Sequence, residues 1–160
     1  MRNKKPIKRS EGFTIIEVLI VLAIAGLILL IVFLAVPALQ RNSRNTQRKA
    51  DVSALLSSVS EWSNNNQGTF PTTSGDFTGK FTNANPKLGY YTTSSNVQWK
   101  YQTSATAVAD PNDLDKVTVA NNAKCSGNTA VATGGTARSV VAVYDVEGSN
   151  GAIVPQCQES

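Results

Sequence analysis

From Phe13 to Val36 the chain runs through 24 residues in which Glu17 is the only charged one. A helix of that length spans about 36 Å, enough to cross a hydrocarbon core of roughly 30 Å with some tilt. A helix packed on a water-soluble core would carry a polar face at a period of 3.6 residues. None appears between Val18 and Val36. The segment therefore predicts a membrane-spanning helix. An ordinary secretory signal has an apolar core of about 7–15 residues followed by a small-residue cleavage site. This run is longer, and Leu34-Ala35-Val36-Pro37 does not supply such a site.

Charge is distributed as unevenly as hydropathy. Residues 1–12 carry Arg2, Lys4, Lys5, Lys8 and Arg9 against Glu11, which accounts for the whole net charge of +4. Without that leader the chain is neutral, so its basic isoelectric point is poor grounds for nucleic-acid binding. Histidine is absent, which removes the commonest general base and metal ligand. No nucleophile can be paired with a histidine base, and Gly134-Gly135 lies in no phosphate-loop pattern. Neither an enzyme nor a cofactor-binding protein is expected.

Glu17 is the informative anomaly, because an unpaired carboxylate at membrane depth is costly and usually functional. An interfacial glutamate reaching toward headgroups is the plain alternative. The residues around it are more specific. Lys8-Arg9-Ser10-Glu11-Gly12-Phe13-Thr14-Ile15-Ile16-Glu17-Val18-Leu19-Ile20 resembles the N-terminal signature of type IV pilins and related pseudopilins in residue type, order and spacing. The resemblance implies cleavage by a prepilin peptidase between Gly12 and Phe13 and N-methylation of Phe13. It also implies that Glu17 meets the new amino terminus of a neighbouring subunit during assembly. Gly26 and Pro37 are implied points of helix flexibility. Pro37 removes a backbone donor and predicts a kink, although it lies about three residues later than in many pilins. Gly26 also suits close helix–helix contact.

Beyond Pro37, Val52, Leu55, Leu56, Val59 and Trp62 recur at helical spacing. They predict one long helix of about 50 residues, ending near Asn64–Gly68 with Gly68 as a left-handed cap. Arg41, Arg44, Arg48 and Lys49 read as a solvated face near headgroups or neighbouring subunits; a DNA surface has no interleaved aromatic to support it. From Thr69 to Asn96 turn formers, including Asn85-Pro86, predict a connection with little regular structure. Strand patterns follow: Val97, Trp99 and Tyr101 in alternation, then Val117 and Val119, then Ser139–Val146 as a central strand. The Asn150-Gly151 turn leads into an edge strand, Ala152–Cys157.

The expected fold is α+β: a long N-terminal helix packed on a small antiparallel sheet of three or four strands. Its parts are a leader (1–12), an apolar assembly helix (13–36), an amphipathic continuation (37–67), a variable loop (68–96) and the sheet (97–160). Cys125 and Cys157 match neither a redox nor a zinc spacing. In an exported domain one disulfide is the simplest reading, worth roughly 3–4 kcal/mol of loop-closure entropy. Asp110, Asn112, Asp113 and Asp115 offer oxygen ligands for calcium, but Asp/Asn/Pro runs more commonly make turns.

The functional expectation is a structural subunit, a major pilin polymerising into a type IV pilus. Adhesion, twitching motility or DNA uptake are implied by the resemblance. A pseudopilin of a secretion or competence machine and a single-pass anchored binding domain are the alternatives. Expected partners are other copies of the chain, the peptidase, the assembly machinery and membrane lipid, with DNA unsupported. The expected location is the cytoplasmic membrane with the N-terminus inside, and then an extracellular filament.

Overall fold

A computed structural model describes residues 12–77, 79, 81, 88–91, 95–104, 106–127 and 134–160. The leader residues before Gly12, the Asn85-Pro86 turn and the segment 128–133 lie outside the described residues.

Helix α1 runs from Ile15 to Asn65, 51 residues without interruption through Gly26 and Pro37. Pro37 has no N–H, so the Phe33 carbonyl lacks its usual donor. The helix ends by a local device. The Gly68 N–H donates to the Ser63 carbonyl at 2.7 Å, closing a Schellman-type turn. Its left-handed position is taken by Gln67 at φ 57°, with Gly68 following at φ 80°. The cap expected on Gly68 alone is thus shared with a residue that has a Cβ.

The chain divides into two units, residues to Leu39 and residues from Gln40 onward. In the first unit every described residue is exposed, including an 18-residue window of mean hydropathy 3.4. The second unit has a core. Strands β1 (Val97–Lys100), β2 (Val117–Asn121), β3 (Val140–Glu147) and β4 (Ile153–Glu159) form one sheet in the order β1-β2-β3-β4.

The sheet is mixed. β2 with β3 and β3 with β4 are antiparallel, whereas β1 and β2 run parallel, with Val97 opposite Val117 and Trp99 opposite Val119. This corrects the wholly antiparallel expectation at one edge. Parallel neighbours need a crossover of a dozen or more residues, and the stretch from Tyr101 to Lys116 supplies it.

One face of the sheet packs Val97, Trp99, Val117, Val119, Val140, Ala142 and Tyr144 against Val52, Leu55, Leu56 and Val59 of α1. Each fully buried valine or leucine among them contributes about 1.5–3 kcal/mol. Phe70, Phe77, Phe81, Leu88 and Tyr91 join that core, and the Phe77 ring stacks on Trp99 at 4.4 Å between centroids. The stretch expected to be an irregular connection therefore supplies core aromatics and a short helix, α2 (Ser74–Phe77). Trp62 is a partly buried member of the same cluster, edge-on to Phe81.

The opposite face is also covered. Val108, Ala120, Ala123, Val141 and Val143 form a second cluster, edged by Cys125 and Cys157. All of β2 is consequently buried, Thr118 included. Cys125 and Cys157 are bonded, with Cα atoms 5.8 Å apart. The bond ties the segment after β2 to edge strand β4, which is not its neighbour in the sheet.

Candidate processing and assembly site

The residues at the start of α1 form a compact local arrangement. Thr14 precedes the first helical residue, and Glu17 is the third residue inside. The Glu17 carboxylate Oε2 accepts the Thr14 backbone N–H at 2.9 Å and the Thr14 hydroxyl at 2.8 Å. At 3.4 Å the Glu17 N–H points back to the Thr14 hydroxyl oxygen. This is a capping box: residue types Thr-x-x-Glu satisfy backbone donors that the first helical turn leaves orphaned. The carboxylate also lies at the positive end of the helix dipole. The four letters Thr14-Ile15-Ile16-Glu17 spell this out, a local role for Glu17 beside the assembly role that the resemblance implies.

Gly12 and Phe13 lie just outside the helix. Phe13 is 88% exposed, and a side chain at Gly12 would meet nothing within 4 Å. Among the described residues nothing crowds the Gly12–Phe13 bond. Gly26, further along α1, likewise has nothing within 4 Å of where a side chain would stand.

The basic run after Pro37 differs from its expected solvated role. Arg44 makes a two-pronged contact with Glu147, Nε to Oε1 at 2.7 Å and Nη2 to Oε2 at 2.5 Å. Arg48 is only 2% exposed. It donates to Glu147 at 2.9 Å, to the Leu114 carbonyl at 3.0 Å and to the Tyr90 hydroxyl at 3.0 Å. Its guanidinium also lies 4.4 Å from the centre of the Tyr90 ring, a cation–π arrangement. Arg41 donates to the Gly148 and Ser149 carbonyls. Three of the four cations are thus committed inside the second unit, and Lys49 alone stays fully exposed. The Arg44 hydrogen bond, aided by Arg48, holds the Glu147 carboxyl down at about 2. Beside this latch, buried Asp51 accepts the backbone N–H groups of Gly89, Tyr90 and Tyr91.

The acidic run forms turns. The Asp110 carboxylate accepts the Asn112 N–H at 3.1 Å, and that of Asp113 accepts the Asp115 N–H at 3.0 Å; Asp113 also pairs with Lys116 at 2.8 Å. Asn112 takes a left-handed conformation, φ 48°, which Asn tolerates. Among the described residues no group of three or more acidic or cysteine side chains is arranged to hold a metal ion. The calcium reading is not carried further. One neighbour was missed altogether: Asp145, on β3, is fully buried. Its Oδ2 accepts the Asp113 N–H at 2.8 Å, and Oδ1 finds no hydrogen-bond partner of good geometry among the described residues. Burial, with Asp110 beside it, pushes the Asp145 carboxyl up to about 6.

Residues 7–33 match the family described as the prokaryotic N-terminal methylation motif. No curated protein and no solved structure matches the chain. The motif implies processing by a prepilin peptidase and entry into pilus assembly. It covers the capped helix start, the uncrowded Gly12–Phe13 bond and most of the exposed apolar segment. On these grounds the N-terminal segment of the chain carries a prepilin-type methylation motif, similar to that of type IV pilins.

Proposed function

We propose that this chain is cut between Gly12 and Phe13, N-methylated on Phe13 and polymerised through residues 13–36 into a type IV pilus, most simply as its major subunit. The observation that carries this reading is the conjunction of the methylation motif with an apolar helix that the chain itself leaves wholly exposed. Such a surface needs lipid before assembly and sister helices afterwards. In this reading the N-terminus starts on the cytoplasmic side and the second unit is exported, which suits its disulfide.

Glu17 supplies the electrostatic half of the mechanism. Its Oε2 is occupied by Thr14, while Oε1 has no hydrogen bond among the described residues. Cleavage creates an ammonium on Phe13, and methylation preserves its charge. Pairing that ammonium with Glu17 of a neighbouring copy neutralises two charges that are each costly in lipid. Gly26 and Pro37 are the places where the helix can yield as it leaves the bilayer. DNA uptake gains no support from Arg41, Arg44 and Arg48, whose charges are already satisfied within the chain.

Mass spectrometry of the mature N-terminus tests the proposal. The expected result is an N-methylated Phe13 end, and a Met1 end would remove it. Glu17→Ala should insert into membrane normally and lose most filament assembly, seen by electron microscopy as few or no fibres. Full-length fibres from that variant would overturn the pairing. Normal processing without surface fibres, together with a secretion defect, would move the chain to the pseudopilins.

A further inference from the structure

Two hollows on the second unit share one wall, formed by Tyr101, Gln102 and Thr103. The first encloses about 420 Å³ and is lined by Thr69, Thr72, Gln102, Thr103 and Asn122 among others. The second encloses about 470 Å³, and its lining runs from Lys100 to Ser104 and adds Thr106 and Ala107. No carboxylate lines either one. Tyr101 is itself out of place. It continues the alternation that buries Val97 and Trp99 at 3% and 5% exposure, yet it remains 44% exposed.

The groups around it are held in place. Asn121 grips the Gln102 backbone at both ends, accepting its N–H and donating to its carbonyl, each at 2.8 Å. The Gln102 side-chain oxygen accepts the Thr106 N–H at 3.1 Å. That bond fixes which end of the amide is which, so its NH₂ group remains as a donor without a partner among the described residues. The hydroxyls of Tyr101, Thr72 and Thr103 are in the same position. An exposed aromatic face, a fixed amide donor and several uncharged hydroxyls make a surface suited to a ligand that is apolar on one face and rich in hydroxyls at its edge.

We propose that the Tyr101 surface binds a neutral pyranose saccharide, the sugar's C–H face against the ring and its hydroxyls on Gln102 and the neighbouring threonines. A nucleic acid would need a track of cations for its phosphates, and the linings contain only Lys100. The site lies wholly within the second unit and does not rest on polymerisation.

Saturation-transfer NMR on the full chain, in a detergent without a sugar headgroup, tests this. The probes are maltotriose, cellotriose, chitotriose and lactose, with digalacturonate as an acidic arm. At least one neutral probe should receive saturation. Tyr101→Ala should weaken that probe's binding about tenfold or more, and Tyr101→Phe should retain most of it. Because Tyr101 is outside the core, Tyr101→Ala should keep the wild-type melting temperature, which separates lost binding from lost folding. No transfer to any neutral probe at millimolar concentration, unchanged binding by Tyr101→Ala, or a preference for digalacturonate would each overturn the proposal.

Discussion

The segment from Phe13 to Leu39 and the unit from Gln40 onward bury apolar side chains in opposite ways. Leu27, in the first, is 61% exposed, and Leu55, on the same helix, is 0% exposed. Both are leucines in unbroken α-helix, so neither residue type nor secondary structure explains the difference. Leu27 meets no other part of the chain among the described residues, and Leu55 faces the sheet and loop of the second unit. The sharpest way to break the comparison is to remove both side chains in turn. Leu55→Ala should lower the unfolding free energy of the second unit by about 2–5 kcal/mol, the cost of lost transfer plus a cavity. Leu27→Ala should leave that unit's thermal transition unchanged. A transition shifted equally by both would mean that the two regions are one cooperative unit.

The next largest effect concerns charge. In the apolar segment Glu17 is left half-satisfied, whereas Glu147 is held by two arginines. Replacing Glu147 with Gln would leave the buried Arg48 with only the exposed Asp115 carboxylate, 4.0 Å away, and breaking a buried pair by removing one partner costs about 3–5 kcal/mol. Part of that cost is recovered here, since Arg48 keeps the Leu114 carbonyl and the Tyr90 hydroxyl. The expected loss is therefore about 2–3 kcal/mol, read from urea unfolding monitored at Trp62 and Trp99. Membrane insertion should be unaffected.

Two carboxyls give the second unit its own pH dependence. Glu147 has its folded pKa depressed to about 2, so its stabilisation is complete above its unfolded value and is lost as pH falls from about 4.5 toward 2. Asp145 is raised to about 6. Its folded form prefers the proton, so that contribution is present below about 4 and is lost as pH rises through 6. Together they place the highest melting temperature near pH 4, with a decline toward 7. Asp145→Asn should remove the decline between pH 5 and 7, because an amide can accept the Asp113 N–H and still present a donor beside Asp110. A wild-type melting temperature that is flat or rising across that interval would contradict this reading of Asp145.

These contrasts also explain what was readable in the sequence. The apolar run, the end of α1 near Asn65, and β3 turning into β4 through Asn150-Gly151 all depend on residues close together in the chain, and local pattern reported them. The parallel pairing of β1 with β2 depends on how a long crossover closes, which no local pattern encodes. The Arg48–Glu147 contact joins residues 99 apart, and nothing near Arg48 distinguishes it from exposed Lys49. The core role of Phe70, Phe77, Phe81 and Tyr91 was hidden because turn formers surround them. The Tyr101 hollows combine residues from four separate segments. Thr14 and Glu17 are different: their capping box was legible in four consecutive letters, and the membrane argument for Glu17 drew attention away from it.

Thr14 gives the smallest effect and the finest test of how the two regions differ. In the second unit, loop donors are satisfied by a tertiary partner, Asp51, which accepts three successive backbone N–H groups. At the start of α1 the only described partners are Thr14 and Glu17 themselves. Thr14→Val keeps the shape and removes the hydroxyl that both accepts from the helix and donates to the carboxylate. Loss of an N-cap costs about 1 kcal/mol, and the Thr14 N–H bond to Glu17 survives, so the first turn should fray without melting the helix. Amide exchange in micelles should quicken by about fivefold at Ile16 and Glu17 and stay unchanged beyond the second turn. In filament formation the variant should be slowed, far less than Glu17→Ala, because the carboxylate is still present but less firmly oriented. If Thr14→Val instead assembles as poorly as Glu17→Ala, orientation by the cap matters as much as the charge, and the hydroxyl belongs with Glu17 in the assembly step.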